Sequence, residues 1–298
     1  PRRRDPGARV TVPLACERPA TIRLGLRENA AQFTLLVVVN AFVGAMVGME
    51  RSILPMIAEG EFALKARAAV LSFIVVFGLT KAATNYFAGL LSDRFGRKHV
   101  LVAGWLVAVP VPFMLMWAPS WNGILAANAL RGISQGLTWS TTVVMKIDLV
   151  GGARRGLAMG LNEFVGYFAV AGAALATGWI AASYGLRPQP FYLGVAFLII
   201  GLGLSALVIR ETSPHVALES RLSGLTGLAP SPREVFWRTT LRDRDLSAVS
   251  QAGLVNNLDL KPGRIIGFDL SVCGGNSLGA DHDTYFYWAV GDVQVSTH

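Results

Sequence analysis

The chain has 298 residues, 52% of them hydrophobic and only 15% charged, where soluble domains carry about 25% charged residues; its mean hydropathy is +0.46. That much apolar surface exceeds what one water-soluble core can hide, which excludes an ordinary soluble enzyme domain. The net charge of +8 lies in short Arg and Lys clusters beside long apolar runs, which suits loops at a bilayer and not a nucleic-acid surface.

In chain order, residues 1–30 form a basic segment that starts at Pro1 and lacks the apolar core of a signal peptide. Six apolar stretches follow at 32–58, 68–91, 100–117, 122–145, 157–182 and 191–209. Each approaches the roughly 20 residues that a helix needs to cross the hydrocarbon of a bilayer. Lipid offers no partner for free backbone N–H and C=O groups, and no alternating barrel pattern is visible, so an all-α polytopic membrane protein is expected over 31–210.

Basic residues accumulate in alternate loops: Arg23 and Arg27 before the first stretch, Arg94, Arg97 and Lys98 after the second, and Lys146, Arg154 and Arg155 after the fourth. The positive-inside rule puts these on the cytoplasmic side, with the N-terminus inside. Trp117 and Trp121 flank an uncharged outer turn, as an aromatic belt does.

Residues 211–257 are polar and are expected to form a cytoplasmic linker, with an amphipathic helix over 233–249. Residues 258–298 hold no membrane-length run and are expected to be a poorly structured tail foreign to the preceding pattern, as a truncation or shifted reading frame would produce. Within it, Asp281, His282, Asp283 and His298 lack the spacing of a metal site. Two distant cysteines, Cys16 and Cys273, give neither a disulfide scaffold nor a thiolate metal site. No Walker A sequence or nucleophile motif is present, so no cofactor is implied.

The turn after the second stretch reads Gly89-Leu90-Leu91-Ser92-Asp93-Arg94-Phe95-Gly96-Arg97-Lys98. It resembles the G-x-x-x-D-R-x-G-R-K signature of the major facilitator superfamily. Gly96 permits a tight turn, and Asp93 can bind basic groups or a helix N-terminus. The resemblance implies that Gly89, Asp93, Arg94, Gly96, Arg97 and Lys98 form a gating loop. It also places Asp148, Arg154 and Arg155 in an equivalent loop after the fourth span, and runs from about Arg27 to Asn257. Glu163 is a further candidate contact at the cytoplasmic gate. Gly160, Gly166, Gly172 and Gly178 in the fifth span suit either an antiporter motif or close helix packing, but the family's Gly-Pro is replaced here by Gly166-Tyr167.

Ionisable groups inside a span are costly, at least about 2.5 to 3.5 kcal/mol each, and mark pathways. Glu50, Lys81 and Arg131 are the candidates for the coupling or substrate path. Glu50, counted from Phe33, falls about 10 Å nearer the outer surface than the two cations. Exchange of Glu50 between Lys81 and Arg131 is one reading; a fixed ion pair holding helices together is the other.

The resemblance implies two inverted three-helix repeats, the first half of a secondary transporter of the inner membrane. Such a carrier moves a small solute by alternating access and is coupled to protons; its partner is a missing second half or a second copy. The alternatives are a six-helix scaffold or fragment that does not transport, and a membrane-embedded enzyme with a small soluble tail.

Overall fold

The computed structural model describes residues 22–64, 71–222, 232–244 and 247, together with two short strands. Helices α1 (Ala30–Gly60), α2 (Ser72–Phe95), α3 (Arg97–Ala108), α4 (Pro110–Trp117), α5 (Trp121–Val150), α6 (Arg155–Tyr184) and α7 (Gln189–Gly203) make the body. A π turn, Leu204–Val208, completes the span begun by α7, and α3 and α4 make one span with Pro110 at their junction. Beyond the body lie α8 (Ser213–Leu222), α9 (Pro232–Trp237) and the antiparallel pair β1 (Ser271–Val272) and β2 (Trp288–Ala289).

Among the described residues, five helical segments are long and apolar enough to cross a membrane: Ala30–Gly60, Ser72–Phe95, Arg97–Trp117, Arg155–Tyr184 and Gln189–Val208. Helix α5 has the length, at 30 residues, but not the apolar composition. Its polar residues, Asn128, Arg131, Ser134, Gln135, Thr138, Lys146 and Asp148 among them, are buried. It is the inner post of the bundle, and the other spans shield it from lipid. The chain is an all-α polytopic membrane protein.

Helix α1 packs most extensively on α6, and α2 on α5. Taken as spans, these are first against fifth and second against fourth. Exchanging spans one, two and three with four, five and six turns the first pair into the second, as two repeats of a three-helix unit require. Both contacts use small residues. A Cβ on Gly44 would lie 2.6 Å from the Gly166 carbonyl oxygen, and one on Gly136 would lie 2.7 Å from Thr84 Cβ. Without a hydrophobic drive between helices in lipid, such close backbone approach supplies the packing.

The glycine row of the fifth span is not a packing ridge. Gly166 sits against Trp139 and Asn40, whereas Gly160, Gly172 and Gly178 have no neighbour that an added Cβ would meet. Glycines six residues apart turn 600° around a 3.6-residue helix and fall on different faces.

Two apolar clusters fill the body. One, with Leu36, Trp105, Trp139 and Leu198, lies toward the ends that carry the start of α1 and the Gly96 turn, the inner ends in the orientation expected from loop charge; the other, with Ile53, Phe73, Leu115 and Phe191, lies toward the opposite, outer ends. At the outer end Arg187 pairs with Glu61 and donates to the Ala118 carbonyl at 3.0 Å, tying together the three outer turns.

One expectation changes in the linker: the helix expected over 233–249 is not continuous among the described residues, where Pro232–Trp237 is followed by a π turn over Arg238–Arg242 and helix recurs at Arg244 and Ser247. The irregular apolar spacing there gives no continuous face to bury. Its Phe236 ring packs edge-on to Tyr86 of α2, 5.8 Å between centroids. Most of the tail, including Asp281, His282, Asp283 and His298, lies outside the described residues.

Candidate functional site

The signature loop joins α2 to α3 through Gly96, whose φ of +88° suits glycine. Arg97, the first residue of α3, is buried. Its guanidinium meets Asp93 at 3.0 Å, one helical turn back, and its Nε donates to Asp148 Oδ2 at 3.1 Å from the inner end of α5. Thr212 Oγ1 donates to the same Asp148 oxygen at 2.7 Å. Asp148 therefore accepts from the second loop and from the segment after the sixth span at once.

Glu211 completes this cluster. Its carboxylate accepts the backbone N–H groups of Arg97 at 3.1 Å and Lys98 at 2.9 Å, and those of Thr212 and Ser213 at 3.0 and 3.1 Å. It caps the otherwise unsatisfied N-terminus of α3, where a negative charge also meets the helix dipole. A Cβ at Gly96 would come within 2.9 Å of Glu211 Oε2, so the position needs glycine for space as well as for φ. Burial pushes the Glu211 carboxyl up, but hydrogen bonds from Ser213 and from the Lys98, Ser213 and Arg97 groups outweigh it and hold the carboxyl below the usual range.

The sequence did not single out Glu211 or Thr212 as site residues. The available signal was an acid directly after the last apolar run, facing a helix start that carries no capping side chain of its own. Asp93 was expected to bind basic groups or a helix N-terminus; it binds Arg97, and Glu211 takes the helix N-terminus. Arg94 stands apart, exposed, with its guanidinium 5.3 Å from the Phe95 ring centroid. Lys98 enters through its backbone, and Gly89 is half-buried on α2. Arg154 is exposed, while Arg155 pairs with Glu219 of α8 at 2.6 Å.

Deeper in the body, Arg131 Nε stands 3.4 Å from Glu50 Oε1, and Arg131 Nη2 donates to the Val43 carbonyl at 2.8 Å. The depth offset expected between the two is absent. Helix α1 runs to Gly60, so Glu50 is ten residues from its outer end, just as Arg131 is ten from Trp121, both about 15 Å deep. The backbone of Lys81 lies against Gly132 and Gly136, one turn further in than Arg131. Its ammonium is 5.9 Å from the Phe77 ring centroid and 5.7 Å from that of Trp139, within cation–π range.

Lys146, expected in a cytoplasmic loop, lies instead inside α5 and is fully buried. The apolar run does not stop at Met145; Ile147, Leu149 and Val150 extend it, and that extension was the readable signal. Lys146 Nζ donates to Asn162 Oδ1, and Asn162 Nδ2 donates to Glu163 Oε1 at 2.7 Å. Asn40 Nδ2 donates to the Asn162 carbonyl at 3.4 Å and its Oδ1 accepts from Thr142 at 3.0 Å. Glu163 is thus half-buried at the edge of a network joining α1, α5 and α6. Among the described residues no group of three or more His, Cys, Asp or Glu could hold a metal ion.

Residues 33–271 match the sequence profile of the Major Facilitator Superfamily. The chain belongs to the Major Facilitator Superfamily. The match passes Asn257, where the resemblance was expected to end. Similar proteins include a probable 4-methylmuconolactone transporter of Cupriavidus pinatubonensis, 26% identical over 64% of this chain and 44% of that protein. An uncharacterized MFS-type transporter, YfnC, of Bacillus subtilis is 32% identical over 46% of this chain and 32% of its own length. The proton-coupled antiporter flippase LtaA of Staphylococcus haemolyticus is 36% identical over 29% of this chain and 21% of its own length. The chain spans less than half the length of these relatives.

In this superfamily member, Glu211→Gln tests the inner cap. A folded-state pKa held below the ordinary 4.5 contributes stability that is present above the unfolded value and is lost as pH falls through the folded one. The melting temperature of Glu211→Gln is therefore expected to lie below that of the wild type at pH 7, with the gap closing below about pH 4.5. A gap that does not change with pH would show that Glu211 acts by packing alone.

Proposed function

We propose that this chain forms a six-helix half of a secondary transporter that moves a small solute across the cytoplasmic membrane by alternating access, coupled to protons. The carrying observation is the cluster of Asp93, Arg97, Asp148 and Glu211, which fastens the inner ends of α2, α3 and α5 and the segment after α7 to one another. A charge cluster at one end of a bundle can hold one orientation and release it, which alternating access requires. The names of the relatives, two transporters and a proton-coupled antiporter, support the same reading. So does the absence of an ATP-binding signature from the sequence.

In this proposal Glu50 is the coupling carboxylate. When Glu50 is ionised, the ion pair with Arg131 is electrically balanced; protonation of Glu50 removes one partner and leaves a buried cation, a state that favours rearrangement. The gate consists of the signature loop, Asp148 and Glu211, with Arg155 and Glu163 at its margin. The N-terminus lies inside, and 211–257 is a cytoplasmic linker. The apolar face of α6, with Phe168 and Leu175 more than 70% exposed, suits lipid or a second six-helix body, either further chain or a second copy.

Orientation is tested by single cysteines at Ser120 and Gly152 in a Cys-free background. Impermeant reagent should label Ser120→Cys from outside and Gly152→Cys only after the membrane is opened; labelling of both from one side contradicts the topology. Coupling is tested by Glu50→Gln in proteoliposomes of the full-length protein. Uptake should lose its pH dependence; retained pH dependence together with a lowered melting temperature would make the Glu50 and Arg131 pair a structural brace.

A further inference from the structure

Helices α1 and α2 pack on α5 far more than on each other. At the outer rim Trp121 holds the start of α2 to α5: its Nε1 donates to Ser72 Oγ at 2.9 Å, and its ring stands edge-on to Phe73, 6.3 Å between centroids. A cleft is left over α5, lined by Glu50 and Arg51 of α1, Phe73, Ile74 and Phe77 of α2 and Asn128 of α5, with Val47 one turn further in. In depth these residues run from the outer end to the coupling carboxylate. Phe73 is the second residue of α2, Asn128 lies about 10 Å from Trp121, and Glu50 lies about 15 Å from Gly60.

The cleft leaves about 10 Å³ for the centre of a water-sized molecule, about the least that one ordered water needs. That is too small for an organic solute. Glu50 Oε1 is buried and has no hydrogen-bond partner among the described residues. Asn128 is buried as well, and its Nδ2 is committed to the Ile124 carbonyl at 3.0 Å, which leaves Oδ1 to accept. Arg51, half-buried, adds donors at the same cleft. Together they make about three polar partners, the usual number for a buried water. A buried acceptor without a donor is costly, and one water supplies two donors at once.

We infer that one water sits in this cleft, donating to Glu50 Oε1 and Asn128 Oδ1, and that it is the last link of a proton route to Glu50 from the outer side, the side of Ser120. The route rests on the reading of Glu50 as the coupling carboxylate and adds the side from which it is protonated. As the water takes a proton from outside it releases another to Glu50 Oε1, so the water is unchanged and the chain gains one positive charge. The charged groups around that carboxyl are Arg131 on α5, Arg51 beside it on α1, and Lys81 on α2, whose ammonium lies by Phe77. Helices α6 and α7 meet this part of α1 through Val170 and Gly194, which do not titrate. With the inner ends fastened by Asp93, Arg97, Asp148 and Glu211, delivery from the opposite side suits alternating access.

Infrared spectroscopy of the full-length protein in oriented proteoliposomes tests the route, with the protonated-carboxyl band that Glu50→Gln removes as the reporter. The outer side is the one from which Ser120→Cys is labelled. A step of the outer pH at clamped inner pH should change this band faster than the same step on the inner side. Ile74→Phe fills the cleft without touching a hydrogen-bonding group, and Asn128→Leu removes one partner of the water; each should slow the outer response about tenfold or more. Melting temperatures separate a slowed response from lost folding. A band that follows the inner pH first, or both sides equally, would overturn the outer route while leaving the coupling role of Glu50 standing. An outer response of wild-type speed in both variants would overturn the water in the cleft. Absence of any Glu50-dependent band, together with pH-dependent uptake retained in Glu50→Gln, would remove that coupling role and the route with it.

Discussion

Lipid cannot hydrogen-bond, so every polar group within the spans must find its partner inside the protein. This constraint arranges the molecule around α5. Polar residues crowd that helix, and the remaining spans are apolar enough to shield it. The partners come from all sides: Val43 and Glu50 on α1 for Arg131, Asn85 on α2 for Ser140, Asn162 on α6 for Lys146, and Thr212 beyond the sixth span for Asp148. A helix that could not cross a membrane alone becomes the one on which the others converge.

The two charge layers differ in what holds them. At the inner end, Arg97 and Asp148 are surrounded by further donors and acceptors, so desolvation is offset by hydrogen bonds. At mid-depth, the Glu50 and Arg131 pair has close approach but no hydrogen-bond geometry between the two groups. The first arrangement suits a fastening that releases as a unit. The second suits a pair whose charge state can change without dismantling a network.

Much of the fold was legible in the sequence because its signal is collective. A run such as 191–209 cannot be soluble whatever its neighbours are, and the observed span Gln189–Val208 differs only at its ends. Arg97, Asp93 and Asp148 could be named because motif spacing and loop position carry them. Glu211 could not, since its importance depends on a helix start more than a hundred residues away being brought beside it. Lys146 was misplaced because charge was read as a sign of a loop, whereas the apolar residues on both sides keep it in the helix. Glu50 was given the wrong depth because α1 was counted from its uncertain inner end.

The account's central claim is that Arg97 and Asp148 act as one buried unit fastening the inner ends of the helices. A double-mutant cycle on thermal or denaturant stability, with Arg97→Gln, Asp148→Asn and the two combined, measures this directly. Arg97→Gln leaves the Asp148 carboxylate buried without a charge partner and should cost about 3 to 5 kcal/mol; Asp148→Asn should cost less because Arg97 keeps Asp93, and the double mutant should lose far less than the sum. Single losses that simply add would contradict the account, because the two residues would then be contributing independently.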